Sequence, residues 1–222
     1  MKIMRLTCLM LLMLAACAHL PEIRTIENST TAAQVARCRA IFPQGKWQFV
    51  HAIEILPPVG SKQTVLGIVQ LSSEQRSFHC VLMTIEGLVV FEADFDGSRV
   101  KMQRALPPLD KPGMAKGIVQ DISLLFFAPE QPCITAGLSK DAAWICRYPY
   151  VDQGQEDVVL QPDGLWEIRR YDRSHRLMRT IAPMAKEDLH ASGLPSRVVL
   201  QAHGLGGYKL TMSLIEAVPL EN

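Results

Sequence analysis

The chain has 222 residues, 48% of them hydrophobic, with 23 Lys and Arg against 22 Asp and Glu. A near-neutral balance without a basic stripe excludes the electrostatic footprint of a nucleic-acid binder. The absence of an acidic tail or low-complexity tract excludes a disordered interaction chain, and the apolar content suffices for the core of one large domain.

Met1-Lys2-Ile3-Met4-Arg5 supplies a positive start, and Leu6 to Ala16 supplies an apolar run of eleven residues ending in small side chains before Cys17. This is the layout of a bacterial export signal. The run is too short to span a bilayer, which takes about 20 residues. Leu14-Ala15-Ala16-Cys17 resembles the lipobox of bacterial lipoproteins. The resemblance implies cleavage before Cys17, a diacylglycerol thioether on its sulfur and a third acyl chain on the new amine. It divides the chain into a signal (1–16), a lipidated tether (17–31) and a single domain (32–222). Under the sorting rule of such lipoproteins, Asp after the anchor retains the protein at the inner membrane. Ala18 therefore implies the periplasmic face of the outer membrane. Several acyl chains make a lasting anchor, because each buried methylene contributes about 0.8 kcal/mol.

After the tether, Val35, Cys38 and Phe42 fall at helical spacing, and Pro43 and Gly45 end that helix. From Trp47 the period becomes two: Trp47, Phe49, His51 and Ile53 alternate with Gln48, Val50, Ala52 and Glu54. Strands follow over Thr64–Leu71, Phe78–Ile85, Leu88–Phe95 and from Val100, joined by turns that include Glu86-Gly87 and Asp96-Gly97. Such a meander pairs antiparallel. Prolines at 107, 108 and 112 interrupt it. Met114, Ile118, Ile122, Leu125 and Phe126 then share one helical face until Pro129. A short helical piece is expected over Ile134–Leu138, then a long loop to Gln155. Strands return at Asp157–Leu160, Trp166–Tyr171 and Leu177–Ile181. Pro195–His203 and Tyr208–Ala217 form a closing hairpin through Gly204-Leu205-Gly206-Gly207.

Beyond the anchor lie Cys38, Cys80, Cys133 and Cys146. An oxidising periplasm permits disulfides, and four cysteines allow three pairings that sequence does not choose between. Cys133 and Cys146, nearest in the chain, would close a short loop. The alternative is that these cysteines are small buried hydrophobes.

The predicted architecture is mainly β: a curved antiparallel half-barrel covered by helices. The residues 78–92 (FHCVLMTIEGLVVFE), 119–129 (VQDISLLFFAP), 164–168 (GLWEI) and 194–215 resemble, in that order, the central hairpin, lid helix, tryptophan strand and terminal hairpin of the LolA/LolB superfamily of lipoprotein carriers and receptors. More narrowly they resemble an uncharacterised lipoprotein family of the same fold. The resemblance implies an acyl or lipid-like cargo held between sheet and lid. Apolar residues on the facing elements are the cavity-lining candidates, Phe49, Leu82, Val90, Ile118, Ile122, Leu125, Phe126 and Trp166, and each also reads as ordinary core if helix and strands pack tightly. The resemblance also implies that Leu88, at the turn of the central hairpin, touches membrane; the competing reading turns Leu88 toward the core.

Catalytic chemistry is not in view. Gly-x-Ser-x-Gly is missing, and the histidines are scattered singly, so neither a nucleophile nor a metal centre is expected, and no cofactor. The glycine-rich stretch at 204–207 lacks the lysine-serine ending of a phosphate loop. The expected function is transfer or placement of lipidated molecules at the outer membrane. The alternative is a non-enzymatic assembly subunit that docks an envelope protein and has no ligand cavity.

Overall fold

The computed structural model describes residues 20–26, 30–185 and 194–221; the signal, Cys17 and Ala18 lie outside them. Its strands are β1 (Arg24–Thr25), β2 (Lys46–Leu56), β3 (Gln63–Ser72), β4 (Ser77–Thr84), β5 (Val89–Phe95), β6 (Val100–Ala105), β7 (Thr135–Leu138), β8 (Trp144–Pro149), β9 (Gln155–Leu160), β10 (Trp166–Tyr171), β11 (Leu177–Pro183), β12 (Arg197–Ala202) and β13 (Lys209–Pro219). Helices α1 (Thr30–Ala40) and α2 (Pro112–Phe126) complete the elements used below.

All thirteen strands join one antiparallel sheet, ordered β1-β7-β8-β9-β10-β11-β12-β13-β2-β3-β4-β5-β6. Two meanders meet at its centre, where the last strand, β13, pairs with β2 from Lys209↔Leu56 to Pro219↔Trp47. The turns alternate between the two ends of the sheet. Those of β2–β3, β4–β5, β8–β9, β10–β11 and β12–β13 lie at one end, here called the rim. Gly87 occupies its β4–β5 turn at φ +89°, a conformation open to glycine at no steric cost.

Sheet order also explains why a helix is needed. Strand β6 is one edge of the sheet and β7 is next to the other. The chain between them must cross the sheet, and the fifteen residues of α2 span about 22 Å. Pro112 opens α2, where its missing N–H costs nothing. The extended Phe127 closes it, its N–H bonded to the Ser123 carbonyl.

Two hydrophobic clusters fill the inner face. One gathers Cys38 and Phe42, from α1 and just beyond it, against Cys146, Tyr148, Val158, Ile168 and Leu200. The other packs Val119 and Phe126 of α2 against Phe49, Cys80 and Phe91. Rings of Phe49 and Phe126 stack with centroids 4.9 Å apart.

Several expectations need correction. Residues 135–138 form a strand, not a helix, and Trp144–Pro149 is a buried strand within the stretch expected to be loop. Strand β8 lacks alternation because both its faces are covered. What covers the outer face is part of the supposed tether: Ile23 packs on Ala143, Ile145 and Val159, and β1 pairs with β7. Arg147 donates from Nη2 to the Pro21 carbonyl (2.9 Å) and grips the fully buried Asp157 with Nε and Nη2 at 2.7 and 2.8 Å. The chain thus passes from the outer face, around the β7 edge, into α1 on the inner face. Cysteine pairing is also corrected: Cys146 is bonded to Cys38, and Cys133 and Cys80 are free. Cys146 and Cys133 lie in consecutive antiparallel segments, yet the side chain of Cys146 points inward toward α1, and sequence distance carries no information about that.

Candidate functional site

Between α2 and the inner face of the sheet lies an apolar cavity of about 90 Å³. Its helical wall is Ile118, Ile122, Leu125 and Phe126, four residues brought to one side by the 3.6-residue period. Its sheet wall comes from alternate residues: His51, Ile53 and Ile55 of β2, Val65, Gly67 and Val69 of β3, and Cys80 and Leu82 of β4. Leu200, Leu210 and Met212 close it from β12 and β13. Gly67 supplies room: a Cβ there would stand 2.6 Å from Cδ1 of Ile53. A second, smaller space of about 30 Å³ lies beyond Phe126, among Phe49, Leu125, Trp166 and Pro195.

Of the eight residues expected to line a cavity, Leu82, Ile118, Ile122, Leu125 and Phe126 stand on the first wall, and Phe49 and Trp166 on the second. Val90 stands on neither. The ladder slips between the pairs Leu82↔Phe91 and Met83↔Val89, so one extra residue enters β5 and counting by twos from the turn fails. Phe91 takes the fully buried inward place instead. Leu88 is exposed at the turn, its N–H donating to Thr84 Oγ1.

Three polar groups face this greasy space. Cys80 is a free thiol that burial pushes up to about 12, so it remains protonated and inert as a nucleophile. Asp121 of α2 is buried, and accepts from Arg179 Nε of β11 at 3.0 Å and from the Tyr208 hydroxyl. The Arg179 guanidinium also lies over the Tyr208 ring, 5.4 Å from its centroid. Burial and the neighbouring carboxylate of Asp121 push the Tyr208 phenol up. The three side chains form a polar tie between helix and sheet that neither motif nor spacing announces, because Arg179 and Tyr208 lie 58 and 87 residues beyond Asp121 along the chain.

The third group is His51, buried between Phe49 and Phe126. Burial lowers its imidazole from 6.5 to about 4. Below pH 6.5 the unfolded chain takes up this proton before the folded one does. The neutral imidazole therefore keeps its full contribution above pH 6.5, and stability falls as the pH drops toward 4. From the size of the shift the loss is about 3 kcal/mol. Urea denaturation of the wild type at pH 7 and pH 4.5 should show it, and His51→Gln should show a shallower pH dependence.

Elsewhere among the described residues several histidines and carboxylates have structural partners. His79 bonds Asp94 at 2.8 Å on the outer face, His203 bonds Thr180, and Asp96 accepts from the Ser98 and Arg99 amides of its turn. Among the described residues no group of three His, Cys, Asp or Glu could hold a metal. No helix among them is long and apolar enough to cross a membrane.

No known family model matches the sequence, and no curated protein matches it. Solved structures do resemble it. A LolA superfamily protein from Nitrosomonas europaea superposes with a TM-score of 0.50 at 12% identity, over 86% of this chain and 94% of the other. A DUF1329 family protein from Desulfovibrio piger gives 0.50 at 7% identity, over 86% and 94%. A Vibrio parahaemolyticus domain assigned to outer membrane lipoprotein sorting gives 0.47 at 10% identity, over 87% and 94%. At these identities the likeness to the Nitrosomonas europaea and Desulfovibrio piger structures is one of fold.

Proposed function

We propose, from the LolA-like fold as premise, that this protein binds an acyl chain or similar lipid-like group between α2 and the sheet, and does so as a lipoprotein held at the outer membrane. The observation that carries the reading is the apolar cavity walled by Ile118, Ile122, Leu125 and Phe126 on one side and by β2, β3 and β4 on the other. In this reading α2 is a lid. At about 90 Å³ the space takes only part of a long tail, so loading requires α2 to lift. Binding would draw on burial of apolar surface at about 25 cal/mol per Å², less the ordering costs of tail and lid. The role is binding and hand-over without catalysis. A disulfide between Cys38 and Cys146 suits the oxidising periplasm.

The test is direct. Purified protein should carry acyl species detectable by extraction and mass spectrometry, and should take up a fluorescent fatty acid. Ile122→Trp, which puts an indole into the cavity, should cut uptake at least about tenfold while the fold, judged by circular dichroism, stays intact. Absence of extracted lipid together with equal uptake by Ile122→Trp and wild type would overturn the reading.

A further inference from the structure

The two edges of the sheet are unlike. One edge is β1, a strand of only two residues, and Ile23 beside it lies on the outer face. The other edge is β6, six residues without proline, which among the described residues pairs with β5 alone. Its far margin presents backbone N–H and C=O groups that can pair with another chain.

The ladder says what fits there. On the inner face, rows of side chains run across β4 and β5 and stop at β6: Phe78, Phe95 and Val100 form one row, and Cys80, Ala93 and Met102 the next. The first two members of each row pack in the cluster under α2. Val100 and Met102 are left 41% and 45% exposed. On the outer face the rows carry charge. His79 bonds Asp94 at 2.8 Å, and Asp94 stands opposite Lys101; one step along, Glu92 stands opposite Arg104. A bulge at Gln103 brings Lys101 and Arg104, three residues apart, to this one face, while the Gln103 amide donates to Asp94 at 2.6 Å. Both cations are exposed, and neither closes an ion pair among the described residues.

We infer that β6 is a docking edge for an extended acidic segment of a partner protein, which adds one strand to the sheet. Inward side chains of that segment are apolar and complete the rows ending at Val100 and Met102. Its outward side chains are Asp or Glu. With strands about 4.8 Å apart, Lys101 and Arg104 then stand between the carboxylates of β5 and those of the partner. Main-chain hydrogen bonds supply the affinity of such an addition, and alternate side chains its selectivity. A second copy of this chain fits poorly. Strand β6 contains no acid, so its cations would meet only cations or neutral groups across the new pair, and like charges placed opposite are destabilising. The cations that keep two copies apart thus choose an acidic partner. The edge is no part of the cavity walls, so it stands apart from the proposed lipid site.

The probe is a labelled synthetic peptide of alternating valine and glutamate, and its counterpart of alternating valine and lysine is the control. By fluorescence anisotropy the wild-type protein should bind the glutamate peptide at least about tenfold more tightly than the lysine peptide, and the gap should shrink as salt is raised. Hydrogen exchange should slow at amides of β6 when the glutamate peptide is present and stay unchanged in β1. Lys101→Gln combined with Arg104→Gln, two exposed changes, should remove most of the preference. Equal affinity for the two peptides, no binding of either, or binding that leaves exchange in β6 unchanged would overturn the inference, whatever the outcome of lipid uptake. Protection of β6 that grows with protein concentration and without peptide would overturn it in favour of a second copy.

Discussion

Replacing Cys38 and Cys146 together by alanine is expected to lower stability by about 4 kcal/mol. The bond joins residues 108 apart, and a crosslink across a loop of that length removes a large share of the unfolded chain's conformational freedom. The loop it closes contains β2 to β6, α2 and β7, which is both walls of the candidate cavity save β12 and β13. Both sulfurs lie in the cluster under α1, fully buried, so the alanines also leave a small void. Urea denaturation monitored by tryptophan fluorescence would measure the loss. Cys133→Ser should shift the midpoint little, since that thiol is half-buried and its hydrogen bond to the Thr135 carbonyl is one a hydroxyl can also make. A double variant within about 1 kcal/mol of wild type would show that the crosslink constrains nothing.

Asp121→Ala should cost about 3 kcal/mol and at the same time speed fatty-acid uptake. Asp121 anchors the middle of α2 to β11 and to the β12–β13 turn through Arg179 and Tyr208. Removing it strands a largely buried guanidinium, and breaking such a pair costs about 3–5 kcal/mol. The triple change Asp121→Leu, Arg179→Met, Tyr208→Phe should recover most of the loss, because an apolar replacement leaves no charge unpaired. Stopped-flow uptake of a fluorescent fatty acid separates the two effects: the single variant should load faster than wild type despite its lower stability. If it loads no faster, the tie is a structural feature of the core and not a restraint on α2.

The strands that alternate were legible. Trp47, Phe49, His51 and Ile53 share a face because a pleated strand sends every second side chain the same way, and α2 was legible from five apolar residues on one helical face. Where covering elements came from far away, sequence was silent. Strand β8 reads as an unpatterned apolar stretch because α1 covers one face and residues near Ile23 cover the other. The bulge that replaced Val90 by Phe91 is a one-residue event in a ladder, set by how β4 and β5 pair.

What the residues determine alone is local: period, turns and the helical stripe, together with the small-residue run before Cys17 from which the lipid anchor is proposed. Those follow from backbone geometry and from chemistry carried by neighbours in the chain. The partner of Cys146, the burial of His51, the tie at Asp121 and the place of β6 at the margin of the sheet depend on which strands lie side by side. That order is a property of the whole open sheet, in which β13 finds β2 and α2 must cross from one edge to the other, and no window of sequence contains it.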